Sequence, residues 1–554
     1  MRCLLLYVCL LLSWPVLAQE PADTDVEEQK RLVYFTDKAD SPYSLSEPLG
    51  FLSSKSLERR QRQSIPLTSR DLPVNPVYVA GLKDAGVQVW YTSRWFNAAV
   101  VQCTEAQVPE IEALLYVKST RTLNRIASPA TPQLRLQEHK LEVLPLAATV
   151  APALESKDYG AAYHQASMLG ADALHAAGYT GAGMTIAVFD AGFPGVPAIE
   201  AFSHLFQNEQ LQGTFDFVRK QEDVFGASAH GTAVLSTMAA YAPGEMIGTA
   251  YAANYLLLRT ENAASEHNIE EINWLLAAEY ADSAGADVIN SSLGYTTFDA
   301  PSRSYTYRDL DGNTTLVAKA ADYAAAAGML VVVSAGNDGD KPWRYIASPA
   351  DADSVLTVGA VDSLGAKAAF SSFGPSADGQ VKPDVVALGQ KAYVLNAAGN
   401  VVASNGTSFA GPIMAGFATS LWQANLNKTA QEMIQLLRRI GSNAASPNNG
   451  LGYGIPEYSR TITALPNMPV QEAVYITNPV RHEPVILSLG QDWLQQPVEV
   501  LVLDATGKRV FSQRIKGAQL EQPLGLQAQS LQQGLYICRI RSGSRVTTVR
   551  FVKL

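Results

Sequence analysis

Thr185-Ile186-Ala187-Val188-Phe189-Asp190-Ala191-Gly192 decides the fold: five strand-forming residues run without polar alternation into a carboxylate and a glycine turn. Continuous apolarity of this kind marks a strand buried on both faces, as in a parallel sheet. Four more apolar runs, at 255–258, 288–289, 330–333 and 355–358, read the same way. Helix candidates at 269–283 and 317–327 lie between them and end at Gly285 and Gly328. Strands alternating with helices predict an α/β fold, a doubly wound and mostly parallel sheet, over residues 159–460. Roughly 300 residues suffice for one sizeable core.

Outward from this segment the pattern changes on both sides. Towards the N-terminus, a strand at 31–35, a helix at 74–85, strands at 87–91 and 98–103 and a helix at 105–115 suggest a small α+β domain over 19–126. Residues 127–158 carry Ala, Pro and Thr without steady periodicity and read as a linker. Residues 471–554 alternate apolar and polar positions at 498–503, 509–515, 535–541 and 547–552, the pattern of a small β-sandwich. That segment holds ten Lys/Arg against six Asp/Glu, a net +4 on a chain whose total is -10.

Arg2, an apolar core over 4–12, Pro15 and Val16-Leu17-Ala18 predict a signal peptide, 1–18, cleaved after Ala18. Tyr7-Val8 before Cys9 rules out a lipoprotein box, so the product is expected to be secreted, extracellular or at the cell surface. Beyond the N-terminus no apolar run reaches about 18 residues, so no transmembrane span is expected in the mature chain. A composition of 47% hydrophobic and 17% charged residues suits globular domains and excludes a largely disordered chain. The acidic balance gives no reason to expect nucleic acid as a partner. Cys3 and Cys9 leave with the signal, and Cys103 and Cys538 are too few for a disulfide framework.

Three local patterns carry chemistry. Asp190 ends the deciding strand, where open α/β sheets gather functional groups. His230 opens His230-Gly231-Thr232-Ala233-Val234, and Ser408 lies in Asn405-Gly406-Thr407-Ser408-Phe409-Ala410-Gly411-Pro412, both at expected helix starts. A serine hydroxyl needs a neighbouring imidazole to take its proton, and the imidazole needs a buried carboxylate to fix its tautomer.

These motifs in the order Asp, His, Ser make residues 159–460 resemble a subtilisin-like serine peptidase. The resemblance implies Asp190 as orienting carboxylate, His230 as general base and then acid, and Ser408 as nucleophile. It implies that Asn337, in Ser334-Ala335-Gly336-Asn337-Asp338, joins the Ser408 backbone N–H in an oxyanion hole. It also implies that Ser291-Ser292-Leu293-Gly294 contributes Ser292, Leu293 and Gly294 to a strand that pairs with polypeptide substrate. Two departures bear on fine geometry: Ala191 stands where Ser or Thr is usual, and a second histidine after His230-Gly231-Thr232 is missing. A sedolisin-like Ser-Glu-Asp site does not fit, because His230 occupies the base position.

The segment 37–121 resembles the prosegment of exported subtilisin-like enzymes, through Phe51-Leu52-Ser53, Leu57-Glu58-Arg59-Arg60 and Arg94-Trp95-Phe96-Asn97-Ala98. That implies an intramolecular inhibitor and folding template, removed by cleavage inside 122–158; the alternative is a permanent accessory domain. Arg59-Arg60-Gln61-Arg62 reads as a solvated helix end in preference to a processing site. The tail resembles the sorting domain of the type IX secretion system, through Asn478-Pro479, Asp504-Ala505-Thr506-Gly507-Lys508, Gly534-Leu535-Tyr536 and the closing Arg550-Phe551-Val552-Lys553-Leu554. That implies secretion machinery as a partner, with a binding β-module as the rival. No metal or other cofactor is expected for the chemistry. Asp309-Leu310-Asp311-Gly312-Asn313 alternates oxygen ligands as calcium loops do, but lacks a downstream bidentate Glu, so a plain turn is preferred and structural calcium stays open. The expected function is a secreted serine endopeptidase; the rivals are a non-catalytic binding protein on a peptidase scaffold and an esterase or transpeptidase.

Overall fold

The computed structural model describes residues 28–126, 158–461 and most of 474–553, leaving out 477–479, 481–484, 491–492, 506, 520 and 544. The expected signal peptide, the linker up to residue 157 and Asn478-Pro479 lie outside the described residues.

The deciding strand, Thr185–Asp190, is buried along its whole length. It lies inside a parallel sheet ordered Val385–Leu388, Leu356–Val361, Leu330–Ser334, Val288–Ser291, Thr185–Asp190, Asn254–Arg259, Leu211–Asp216. Side chains alternate across a strand, so Ala187 and Phe189 join the core built with the Ile269–Ala284 and Leu316–Ala326 helices. Ile186 and Val188 face the other way, where the His230–Ala239 and Thr407–Gln423 helices are buried against each other and the sheet. After Thr185–Asp190 the chain runs to the far edge, returns beside it, then crosses to its other side at Val288–Ser291. This reversal places the carboxyl end of Thr185–Asp190 at the switch point, where α/β sheets open a crevice.

The N-terminal domain is two-layered. Its antiparallel sheet runs Gln88–Ser93, Ala98–Cys103, Gln29–Phe35, Val117–Ile126, with Leu32 opposite Val100 and Val33 opposite Ala99. One face, with Val33, Phe35, Ala99 and Val101, packs on the Pro76–Asp84 and Val108–Glu112 helices. The other face, with Leu32, Ala98 and Val100, joins the core under the Ile269–Ala284 and Leu316–Ala326 helices. Glu279, on the first of those helices, accepts hydrogen bonds from the Arg94 and Trp95 backbone N–H groups at 2.9 and 3.2 Å.

The expectation of a solvated Arg59-Arg60 helix end is corrected here. The Ser54–Arg62 helix buries both residues, at 2% and 3% exposure. Arg59 donates to the carbonyls of Ala286 and Ala327, Arg60 to Ala327 and Gln63 to Gly328, so this helix closes the carbonyl ends of two catalytic-unit helices. Arg59, Arg60 and Arg94 all pair with the buried carboxylate of Asp282. Guanidiniums at a helix C-terminus satisfy orphan carbonyls and complement the dipole, which makes burial tolerable.

The tail, from Ser459, is a separate compact unit. A three-stranded sheet (Val474–Ile476, Val485–Leu489, Glu521–Leu524) and a four-stranded sheet (Arg509–Ile515, Val498–Asp504, Gly534–Ser542, Arg545–Lys553) share one core around Trp493, Leu487, Val500, Cys538 and Phe551. Cys103 and Cys538 are both free and buried. Among the described residues, no helix is long and apolar enough to cross a membrane.

Candidate active site

Asp190 is the last residue of the deciding strand and is fully buried. Its Oδ1 accepts the Ala191 N–H at 2.8 Å, and both its oxygens stand 2.9 Å from His230 Nδ1. His230 is the first residue of its helix, and Gly231 brings that turn against the strand. A Cβ on Gly231 would lie 2.3 Å from the Gly192 carbonyl oxygen and 2.9 Å from Asp190 Cβ. Gly192 itself has φ +142° and sits where a Cβ would meet the Gly226 carbonyl at 2.2 Å. Two glycines therefore permit the approach that joins carboxylate to imidazole. Burial of the His230 ring disfavours its charge, but the Asp190 charge and hydrogen bond outweigh burial and lift its pKa above the ordinary 6.5.

Ser408 is the second residue of the Thr407–Gln423 helix, 5% exposed. The Phe409 ring lies 6.0 Å from the His230 ring, which sets this helix start beside the imidazole. Asn337 follows the Leu330–Ser334 strand and accepts at Oδ1 both the Thr407 N–H and the Thr407 hydroxyl, each at 2.9 Å. Its carbonyl end is thereby anchored, and the Nδ2 hydrogens remain the donor end. The Ser408 backbone N–H belongs to the first helical turn, whose donors have no intrahelical acceptor and carry the positive end of the dipole.

The parallel ladder stops at Ser291, paired with Phe189 and Val333. Among the described residues, 292–294 have no strand partner, and Gly294 is exposed. Ser292 is buried, its hydroxyl 3.0 Å from the Ser408 carbonyl oxygen. Asp190, Ser292 and Asn337 thus follow or end three adjacent strands, and contacts tie Asp190 to His230, Ser292 to Ser408 and Asn337 to Thr407, with His230 and Ser408 each at a helix start. Two contributors were not foreseen: Thr407, and Ser334, whose hydroxyl donates to the Thr407 carbonyl at 2.9 Å.

The chain matches the Subtilase family over residues 181–454. It is 30% identical to Subtilisin DY of Bacillus licheniformis over 289 residues, covering 52% of this chain and 93% of that one. The chain belongs to the subtilase family. This subtilase is also similar to Subtilisin E of Bacillus subtilis (strain 168), 30% identical over 291 residues, 52% of this chain and 67% of that one. Among solved structures, that of MycP1 from Mycobacterium smegmatis matches 57% of this chain and 87% of its own at 23% identity and TM-score 0.44. Residues 30–137 match the Peptidase S8 propeptide domain of Bacteroidota, and 466–554 match the secretion system C-terminal sorting domain. The subtilase is therefore a serine-type peptidase made as a zymogen, and its sorting domain indicates export through the type IX system.

Among the described residues, one group of three carboxylates is close enough to share a cation. Glu261, Glu266 and Glu270 bring one oxygen each to within 4.8 Å of one another. Burial first, then the neighbouring carboxylates, pushes Glu266 up to about 9, and burial pushes Glu261 to about 7. Burial and mutual repulsion thus favour a proton held within this group over three buried charges. The carboxylates of the 309–313 turn are engaged locally: Asp309 accepts from the Thr306 N–H and hydroxyl at 2.7 Å, and Asp311 from the Asn313 and Thr314 N–H groups at 3.0 and 2.7 Å.

Proposed function

We propose that this subtilase is a secreted endopeptidase in which Asp190, His230 and Ser408 act as the catalytic triad. The observation that carries the reading is the 2.9 Å contact of His230 Nδ1 with the buried Asp190 carboxylate. That contact assigns the Nδ1 proton and leaves Nε2 as the base, and the Phe409 ring 6.0 Å from the imidazole supports the Ser408 helix start as its partner.

Polypeptide substrate lies along 292–294, its backbone pairing with the open edge after Ser291. His230 takes the Ser408 proton as Oγ attacks the scissile carbonyl. The Asn337 Nδ2 and the Ser408 N–H hold the oxyanion where charge develops, which is where fixed donors lower the barrier most. His230 then protonates the leaving amine, and water activated by the same imidazole hydrolyses the acyl-enzyme. This chemistry requires no metal. The N-terminal domain inhibits until a bond within 122–158 is cut. Tyr159 supports a mature start near itself: its hydroxyl is 2.7 Å from His175 Nδ1, and Gly160 pairs with Met246, so the chain from there belongs to the catalytic body. The test is turnover of a peptide p-nitroanilide beside the matching ester, with intact-mass detection of an adduct on Ser408 from a serine-directed fluorophosphonate. Ester turnover without amide turnover would make the protein an esterase; no adduct on folded protein would end the triad reading.

A further inference from the structure

The Thr407–Gln423 helix contains a proline at its sixth position, Pro412. In a regular helix the N–H of residue 412 would bond the carbonyl of residue 408. Proline has no N–H, and its ring crowds the carbonyl four residues back. The Ser408 carbonyl is therefore denied its helical partner by the sequence itself, in a residue only 5% exposed. A buried carbonyl left so is costly, and the usual answer is a donor from elsewhere. The donor is the Ser292 hydroxyl, 3.0 Å away and 116 residues earlier in the chain.

The direction of that hydroxyl is set from behind. Asn290 Nδ2 donates to Ser292 Oγ at 3.3 Å, so the single Ser292 proton goes to the Ser408 carbonyl. We infer that Ser292 is a positioning residue for the nucleophile: its hydroxyl replaces the helical hydrogen bond that Pro412 removes, and so fixes the peptide carrying Ser408. The inference rests on the triad reading above and adds a second job to a residue otherwise assigned to the substrate strand. The two jobs use different atoms, the backbone of 292–294 for substrate and Ser292 Oγ for Ser408. Without the hydroxyl, the 408–409 peptide loses the hydrogen bond that fixes it, and a shift of Ser408 by a fraction of an ångström spoils both attack geometry and the oxyanion donor.

The test uses the secreted protein with Ser292→Ala, Ser292→Thr and Ser292→Ala/Pro412→Ala, each checked for a cooperative melt. With a peptide p-nitroanilide, Ser292→Ala is expected to lower kcat about 10- to 100-fold with KM within about threefold. The acidic limb of the pH profile should stay in place, because Asp190 and His230 are untouched. Ser292→Thr, which keeps the hydroxyl, should recover most of the loss. Ser292→Ala/Pro412→Ala should also recover activity, because replacing the proline returns the backbone N–H that the Ser408 carbonyl lacks. Unchanged kcat in Ser292→Ala overturns the inference, as does a rise in KM alone, which would leave the residue only its substrate role. A folded double variant no faster than Ser292→Ala overturns it too. If Ser292→Ala is not secreted, the double variant carries the test, and its secretion in folded but slow form is the contrary result. Failure of the triad reading is recognised separately, by full activity in Ser408→Ala.

Discussion

Replacing Asp282 by Ala should undock the prosegment without dismantling the catalytic unit. The Asp282 carboxylate is fully buried and accepts from Arg59, Arg60 and Arg94, the Arg60 Nη1 contact measuring 2.8 Å. Each arginine keeps some partners after the substitution: Arg59 the Ala286 and Ala327 carbonyls, Arg60 the carboxylate of Asp71, Arg94 the Glu279 carbonyl. The positive charge, however, loses its buried counter-ion, and breaking a buried pair from one side costs about 3–5 kcal/mol. At about 1.4 kcal/mol per tenfold, docking weakens by roughly two to three and a half orders of magnitude. The assay is amide hydrogen exchange by mass spectrometry on full-length Ser408→Ala, with and without Asp282→Ala. Protection over 54–62 should fall by that factor while the strand Leu330–Ser334 keeps its own. Protection over 54–62 retained within about threefold would refute the reasoning. Burial alone would raise the Asp282 pKa, yet Arg59, Arg94 and Arg60 together hold it below the ordinary 3.8. A depressed carboxylate stabilises above its unfolded pKa and loses that contribution only below its folded one, so docking should survive at pH 4.5.

Three other outcomes are expected. With His230 as the base of the proposed triad, the rise of kcat/KM with pH should have its midpoint above 6.5, because the base must be neutral and its pKa is raised; Asp190→Asn should shift that midpoint downward, and an unshifted limb would contradict the pairing. Glu266→Gln should raise the melting temperature near pH 8.5 and leave it unchanged at pH 4.5, since a carboxyl raised to about 9 weakens the fold as pH climbs through that range; a lower melting temperature at pH 8.5 would contradict a shared proton and indicate a bound cation. Gly231→Ala should cost about 1–3 kcal/mol in denaturant unfolding and depress activity, because the new Cβ falls 2.3 Å from the Gly192 carbonyl; wild-type stability would contradict that packing.

The parts of this subtilase that were legible in its sequence are those set by local pattern. Thr185–Asp190 shows its burial as unbroken apolarity, and the helix starts at His230 and Thr407 carry their motifs on the surface of the sequence. The tail strands are visible because alternation survives in Val498–Asp504 and Arg509–Ile515. What stayed hidden depends on pairing across long separations. Arg59 and Arg60 look like a solvated helix end until Asp282 and two helix C-termini are brought to them. The 105–115 helix shrinks to a 3-10 turn and Val108–Glu112, since Pro109 fits only a first helical turn and the segment soon turns into the Val117–Ile126 strand. The motif around Ser292 suggests only a substrate-pairing role, whereas its hydroxyl contact with Ser408 depends on a proline 120 positions later. The carboxyl group of Glu261, Glu266 and Glu270 gave no motif spacing.

The most direct test of the central claim is intact mass with N-terminal sequencing of the secreted product, wild type beside Ser408→Ala. Acylation through Ser408 predicts that wild type loses its prosegment to give a start near Tyr159, while Ser408→Ala is secreted with the prosegment attached and with peptide turnover down about a millionfold, the magnitude associated with subtilisin itself. A Ser408→Ala product that is folded and turns over peptide at the wild-type rate would contradict it.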